Sequence, residues 1–343
     1  MQWIDFPDER FVVNGLGWWE ETKPALRRLP ERMQSVVPPA VWDLAQSPSA
    51  GRIRFATDAT ELAIHVRYPS LRFMTNMPRV GQLGVDLWVD GEYWRPVYPL
   101  DETSDYTGTF FEGLPAERRE VCMYLGLYAP VEVVAIGMNE GASIEPPAPF
   151  ALEKPIVYYG TSITQGGCAS RAGMAYQAEV GRALNLDYIN LGFSGNGKGE
   201  KELAEACAEI DACCYVMDFC QNNRTAAELE QVYAPFLQTI RDRRPDTPIV
   251  CITTIFSTAE VWNPASEHEK MREVIRKAVV DRSRAGDRKI GLVEGYDLLG
   301  PDHRIGLVDA THPNDIGFMM MSDGLTIALG HVLGLRGKSD AVD

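Results

Sequence analysis

The sequence has little positive charge, no paired cysteines and no long apolar run. Its 343 residues include 33 Lys and Arg against 48 Asp and Glu, a formal net charge of −15. Such an acidic chain repels phosphate backbones and anionic lipid headgroups. No apolar run approaches the ~20 residues that span a bilayer. We therefore expect neither nucleic acid nor a membrane as a partner.

The cysteines are odd in number, and none forms a Cys-x-x-Cys pair. Most lie in apolar segments, where a free thiol behaves as a small hydrophobic side chain; they are Cys122, Cys168, Cys207, Cys213, Cys214, Cys220 and Cys251. The N-terminus lacks a basic start followed by an apolar core. We expect a cytoplasmic protein. Histidine and cysteine show no ligand pair with zinc spacing, so we expect no metal and no cofactor.

The first part of the chain has the period-two pattern of half-buried strands. Leu62, Ile64 and Val66 alternate with less apolar residues. Asp90-Gly91 separates two further apolar runs and favours a two-residue hairpin turn. Residues 121–128 and 131–138 are also typical of strands, and the Pro-rich stretch 145–149 is typical of a linker. The pattern predicts an antiparallel, jelly-roll-like β-sandwich domain over residues 1–150.

Residues 151–343 have a different hydrophobic pattern. Five short apolar runs, at 155–159, 188–193, 214–219, 249–255 and 290–294, are separated by longer stretches with helical spacing. This pattern is typical of βαβ units around a buried parallel sheet. It predicts an α/β domain with a flavodoxin-like, doubly wound parallel five-stranded sheet. Reactive groups should then lie at the carboxyl ends of the strands.

Three residues of this second domain can form a nucleophilic triad. Ser162 follows the first apolar run by two positions, while Asp309 and His312 stand three apart just before Pro313. A serine hydroxyl needs an imidazole to accept its proton, and the imidazole needs a carboxylate to orient it. A serine beside a glycine is more often a helix cap or a turn residue. The triad as a whole predicts acyl transfer through Ser162.

Two loops could supply hydrogen-bond donors for an oxyanion. The second apolar run ends in a segment with Gly192, Gly195 and Gly197, whose backbone N–H groups can face a ligand. The third run is followed by Asn222 and Asn223, whose amides can donate to developing negative charge. A tight strand-to-helix turn also explains the glycine segment, whereas a phosphate-binding loop is disfavoured because the P-loop spacing with Lys-Ser/Thr is missing. A turn and a helix N-cap explain the Asn pair equally well.

Together these segments resemble the SGNH, or GDSL-type, hydrolases, which carry Ser, Gly, Asn and His in four blocks with Asp three residues before His. The resemblance implies Ser162 as nucleophile, His312 as base and Asp309 as its partner. It implies the Ser162 N–H, Gly195 and Asn222 as oxyanion donors. Gly-Thr-Ser replaces the usual Gly-Asp-Ser, which leaves the nucleophile unchanged. Cys-Gln-Asn-Asn replaces the usual Gly-x-Asn-Asp, so the choice of Asn222 over Asn223 depends on the register of the alignment.

The N-terminal half adds to this resemblance. Gly84-Val85-Asp86-Leu87-Trp88 is similar to the Gly-x-Asp-Leu-Tyr motif of an SGNH subfamily that carries a β-sandwich before the hydrolase. The resemblance implies a serine esterase that removes small acyl groups from a small-molecule or carbohydrate ester, and acetyl is the acyl group we expect. An acyltransferase with the same triad is one alternative. A non-catalytic carbohydrate- or nucleotide-binding protein is another. The substrate-binding residues stay unknown, and a homo-oligomer is compatible with the sequence.

Overall fold

The structure is a computed structural model that describes residues 1–71 and 73–335. The chain divides into two compact units. Unit 1 contains Met1–Ser35, Trp42–Phe150 and Ser170–Gly173, and unit 2 contains Val36–Val41, Ala151–Ala169 and the described residues from Met174 to Leu335. Two short segments depart from a simple division of the sequence: Val36–Val41 belongs to unit 2 although unit 1 flanks it, and Ser170–Gly173 belongs to unit 1 although unit 2 flanks it.

Unit 1 contains two antiparallel sheets. Its strands in chain order are β1 (Gln2–Asp5), β2 (Val12–Asn14), β3 (Arg52–Thr57), β4 (Leu62–Arg67), β5 (Val85–Val89), β6 (Glu92–Val97), β7 (Asp105–Phe111), β8 (Arg119–Tyr124) and β9 (Glu132–Met138). One sheet has the order β1-β9-β4-β7 and the other β2-β3-β8-β5-β6. Ile53 and Leu87 of one sheet and Ile64 and Ile136 of the other share one apolar core. The predicted antiparallel fold of this region is confirmed.

The hairpin predicted at Asp90-Gly91 is present. Asp90 has φ 52° and Gly91 has φ 83°, and the two residues join β5 to β6. Positive φ at both central positions matches the right-handed twist of the paired strands. The alternation in β4 is observed in part: Leu62, Ile64 and Val66 are fully buried, His65 and Arg67 are not, but Ala63 is buried as well.

Unit 2 contains a parallel sheet. Its strands are β10 (Ile156–Gly160), β11 (Tyr188–Gly192), β12 (Cys214–Asp218), β13 (Ile249–Ile252) and β14 (Ile290–Val293). Each neighbouring pair is parallel, and the order is β11-β10-β12-β13-β14. This is the doubly wound, flavodoxin-like order, so the predicted fold is confirmed. The third to fifth strands end one to three residues before the predicted apolar runs do.

The helices in chain order cover both units. They are α1 (Trp19–Thr22), α2 (Pro39–Ala45), α3 (Arg79–Leu83), α4 (Ser162–Gln165), α5 (Tyr176–Leu184), α6 (Lys201–Glu209), α7 (Ala226–Arg243), α8 (Ala259–Trp262), α9 (His268–Arg284), α10 (Gly295–Leu298) and α11 (Asp315–Leu333), with 3-10 turns at Glu31–Met33, Ala172–Met174 and Pro301–Gly306. All seven cysteines are free thiols.

Helix α11 bears on the expectation that no membrane is a partner. By length and composition it could cross a membrane, with a mean hydropathy of 1.4 over its most apolar stretch, of which 39% is buried. Polar residues such as Asp323 interrupt the run, so no continuous apolar segment is visible in the sequence. Core helices of soluble proteins have the same composition, and Phe318, Met321 and Leu325 of α11 are fully buried. One such helix is weak support for a membrane span.

A buried carboxylate lies at the end of β12. Asp218 is 2% exposed and accepts hydrogen bonds from Tyr176 Oη at 2.8 Å and Thr164 Oγ1 at 3.0 Å. Burial raises the pKa of Asp218 to about 6, although both hydrogen bonds act in the opposite direction. Since Thr164 lies in α4, this carboxylate ties the central strand to the short helix that begins at Ser162.

The raised pKa of Asp218 gives a prediction for stability against pH. The folded chain holds this proton more tightly than the unfolded chain, so its contribution to stability is present below about pH 4 and is lost as pH rises through about 6. Asp218→Asn removes this loss. We expect the free energy of unfolding of the variant, relative to wild type, to rise by about 2 kcal/mol between about pH 4 and pH 7. Urea unfolding at both pH values measures it, and a constant difference would contradict it.

Candidate active site

Ser162 is the first residue of α4, directly beyond the carboxyl end of β10. Thr161 caps the helix: its Oγ1 accepts from the N–H of Ile163 at 3.4 Å, and its own N–H donates to Thr164 Oγ1 at 3.2 Å. This capping box satisfies N–H groups that the first turn leaves unpaired. The side chain of Ser162 is therefore held at the edge of the sheet where ligands bind in such folds.

The structure brings the three predicted triad residues together. Ser162 Oγ lies 2.8 Å from His312 Nε2, although 150 residues separate them in sequence. His312 Nδ1 lies 2.9 Å from Asp309 Oδ2 and 3.1 Å from Oδ1. The carboxylate fixes the proton on Nδ1, which leaves Nε2 free to accept the serine proton. These contacts are those of a nucleophile, a base and an orienting acid.

The backbone around Asp309 holds its carboxylate in place. Asp309 Oδ1 also accepts the N–H groups of Thr311 and His312, both at 2.8 Å. The N–H of Val308 donates to the carbonyl of His312 at 2.8 Å, which closes the loop. The carbonyl of Ala310 accepts from a second loop, at Ser257 Oγ and the Thr258 N–H. The acid and base thus lie on a loop that is hydrogen-bonded on two sides.

The two predicted oxyanion segments are hydrogen-bonded to each other and to α4. Gly195 has φ +70°, a conformation that glycine adopts without strain, and its N–H has no hydrogen-bond partner in the described chain. The neighbouring Ser194 N–H donates to Gln165 Oε1 at 3.0 Å. Asn222 Oδ1 accepts from the Gly197 N–H at 3.1 Å, and within residues 1–71 and 73–335 its Nδ2 makes no hydrogen bond. Both donors are therefore available to a ligand.

Asn223, the alternative amide donor, differs from Asn222 in its exposure. Asn223 is 8% exposed, and its Nδ2 is buried without a partner among the described residues. Asn222 is half-buried. The half-buried amide, oriented through Gly197, is the better placed to meet a substrate, so Asn222 stays our prediction.

Cys168 lies beside the triad, which the sequence did not indicate. The ligand atoms of Cys168, Asp309 and His312 lie within 4.8 Å of one another, a cluster that could hold a metal ion. Both ring nitrogens of His312 already contact Ser162 and Asp309, so an ion there would compete with the triad. Burial raises the pKa of the Cys168 thiol to about 12, and the charge of Asp309 acts in the same direction. The thiol is therefore protonated at neutral pH.

Sequence reasoning also missed two buried polar residues that support the site. Gln165 of α4 is fully buried and accepts a hydrogen bond from the loop that contains Gly195. Asp218 of β12 accepts a hydrogen bond from Thr164 of α4. Asp218 could have been found as a charged residue that ends an apolar run. No local signal distinguishes Gln165.

Comparisons with known proteins cover nearly the whole chain. Residues 153–329 match the family model described as the GDSL-like lipase/acylhydrolase family, and residues 1–144 match the N-terminus of SGNH-hydrolase-type esterases. A comparison with curated protein sequences found no match.

Several solved structures are similar. A proposed GDSL-like lipase of Bacteroides ovatus is 30% identical with a TM-score of 0.88, over 98% of this chain and 99% of that one. A salicylyl-acyltransferase from a tetracycline biosynthetic pathway is 22% identical with a TM-score of 0.82, over 98% and 99%. An acetyl xylan esterase of Butyrivibrio proteoclasticus shares 13% identity and a TM-score of 0.65, over 97% and 100%. The last two show the fold alone. With the family match over more than half of its length, the chain belongs to the GDSL-like, or SGNH, lipase/acylhydrolase family.

Proposed function

We propose that this chain is a serine esterase that removes small acyl groups, acetyl above all, from a hydroxylated substrate such as a carbohydrate. The observation that carries the proposal is the 2.8 Å contact between Ser162 Oγ and His312 Nε2, with Asp309 behind the ring. An imidazole in this position accepts the serine proton as Oγ attacks the ester carbonyl.

The reaction proceeds in two halves. Attack by Ser162 Oγ forms a tetrahedral oxyanion, which accepts hydrogen bonds from the Ser162 N–H, the Gly195 N–H and Asn222 Nδ2. His312 then returns the proton to the departing alcohol, and an acyl-serine remains. Water, deprotonated by His312, attacks the acyl-serine carbonyl and forms a second tetrahedral oxyanion. The bond from the acyl carbon to Ser162 Oγ then breaks, Oγ takes the proton from His312, and the acid is released. Preorganised donors of this kind typically contribute about 3 kcal/mol each to such transition states.

Replacing the nucleophile tests the proposal directly. We expect Ser162→Ala to lower the rate of p-nitrophenyl acetate hydrolysis by about 1,000-fold or more, because the remaining donors cannot form the acyl intermediate. Release of p-nitrophenol measures it. Ser104→Ala, at an exposed position of unit 1, is the matched control and should retain the wild-type rate. Equal activity in both variants would refute the mechanism.

Acyl transfer to another hydroxyl is the second candidate function. The similarity to a salicylyl-acyltransferase, over 98% of this chain, favours it, since the same triad serves both reactions. The choice depends on whether water or an acceptor hydroxyl reaches the acyl-serine.

Partitioning of the acyl-enzyme separates the two candidates. With p-nitrophenyl acetate and added methanol or glucose, we expect free acetate to stay the main product, because an esterase admits water. Product analysis by chromatography measures the ratio. A sugar or methyl ester as the main product, with hydrolysis suppressed, would identify a transferase.

An exposed tryptophan near the triad loop supports a sugar as the alcohol. Trp262 is 66% exposed at the end of α8, a helix with no buried residues. The two residues before α8, Ser257 and Thr258, donate to Ala310 of the triad loop. Glu260 of the same helix pairs with Arg272 at 2.8 Å. The indole is thus carried on an anchored segment, and an aromatic face there can stack on a pyranose ring.

Loss of this ring should weaken the binding of sugar esters. Aromatic stacking contributes about 0.5–1.5 kcal/mol beyond burial, so we expect Trp262→Ala to raise the KM for an acetylated oligosaccharide by about two- to tenfold. Trp262→Phe should recover most of the loss. Ile327→Ala, at an exposed position of α11, is the control. Initial rates over a range of substrate concentrations measure KM, and an unchanged value in Trp262→Ala would exclude this contact.

A further inference from the structure

The motif at residues 84–88 contains a buried carboxylate that the proposed reaction does not use. Asp86 is 1% exposed and lies in β5, an otherwise apolar strand. A buried charge is costly unless it is paired and hydrogen-bonded. Burial leaves the pKa of Asp86 above its usual value, although the charge of Arg171 and the hydrogen bonds oppose it. Burying this carboxylate in the strand therefore costs free energy of folding, which its hydrogen-bond and ion-pair partners reduce.

The partners of Asp86 come mainly from the segment Ser170–Gly173. Its Oδ2 accepts from the Gly173 N–H at 3.0 Å, Arg171 Nη1 at 3.3 Å and Trp88 Nε1 at 3.2 Å. The guanidinium of Arg171 also lies over the Tyr93 ring, 3.7 Å from its centroid. Oδ1 is buried and has no partner in the described part of the chain. Two of the hydrogen bonds of this carboxylate therefore attach the segment Ser170–Gly173 to β5 of unit 1.

Gly173 is fitted closely against the same groups. A Cβ at this position would lie 2.5 Å from Trp88 Nε1 and 2.7 Å from Asp86 Oδ2. Both distances are shorter than any normal contact, so only glycine permits this approach. The segment is held by an ion pair, a backbone hydrogen bond, a stacked ring and a steric fit.

The loop that contains this segment leaves the nucleophile helix α4 and leads into α5. Before the segment, the N–H of Gly167 donates to the carbonyl of Ser162 at 2.8 Å. After it, Tyr176 Oη donates to Asp218, which also accepts from Thr164 of α4. Residues 166–175 therefore form a loop that starts with a hydrogen bond to Ser162, ends next to Tyr176, and contacts Asp86 through its tip, Ser170–Gly173.

We propose that Asp86 is a positioning residue: by holding the tip of the 166–175 loop, it keeps the backbone that follows Ser162 in its reactive arrangement. The kinetic part of this inference rests on the proposed esterase function. It assigns the motif carboxylate a role in the hydrolase reaction that involves no contact with the substrate.

Two variants remove the anchor in different ways. Asp86→Asn keeps the shape of the side chain but removes the charge that pairs with Arg171. Arg171→Gln removes the same ion pair from a partly exposed position and is the milder change, so it keeps the test valid if Asp86→Asn folds poorly. Asp246→Asn, at an exposed position, is the matched control.

Hydrogen exchange measures the anchor independently of activity. We expect amides of residues 166–175 to exchange about tenfold faster in Asp86→Asn and in Arg171→Gln than in the control, with other peptides unchanged. Mass spectrometry of peptic fragments reports this. Equal exchange in that loop would overturn the proposal, whatever the activity.

Kinetics then show whether the anchor serves the reaction. We expect kcat for p-nitrophenyl acetate and the rate of fluorophosphonate labelling of Ser162 to fall about 10- to 100-fold, with KM within about twofold. Faster exchange with wild-type kcat and labelling would overturn the positioning role. Absence of turnover in the wild-type protein would refute the proposed esterase function instead. The exchange and labelling rates of the variants would still test the role of Asp86.

Discussion

The hydrogen bond between Ser162 and His312 is the contact on which the account depends, and it spans 150 residues of sequence. It forms because a parallel sheet brings the carboxyl ends of its strands to one edge. Ser162 follows β10, the second strand in the sheet order, whereas His312 comes from the loop before α11. Neither loop could hold this geometry alone. The chemistry is therefore a product of the sheet topology as much as of the residue types.

Buried polar residues hold the nucleophile helix in place. Helix α4 has only four residues, too few to be stable by its own hydrogen bonds. Its side chains contact the strand and loop next to it: Thr164 contacts Asp218, and Gln165 accepts the N–H of Ser194. Each of these side chains is hydrogen-bonded, which reduces the cost of burying it. A short, fully bonded helix presents Ser162 in one orientation, which is what a nucleophile in a preorganised site requires.

The local pattern of the sequence predicted the architecture and the triad, but not the contacts that support them. Continuous apolar runs such as residues 214–219 indicate buried parallel strands. The types and spacing of Asp309 and His312 predict an acid beside a base, and the structure places the two side chains within hydrogen-bond distance. By contrast, two of the three partners of Asp86 Oδ2 named above lie 85 and 87 residues away, at Arg171 and Gly173. No periodicity encodes such pairs. Helix α11 was missed as a long apolar element because Ser322 and Asp323 interrupt it.

In the proposed mechanism, Ser162 carries the acyl group between the two half-reactions. The most direct measurement is mass spectrometry of the wild-type protein, quenched with acid within its first turnovers of p-nitrophenyl acetate and then digested. The account predicts one acetyl group on the peptide that contains Ser162, located on that residue by fragmentation. Product release without any acyl group on Ser162, or with the acetyl on another residue in its place, would contradict it.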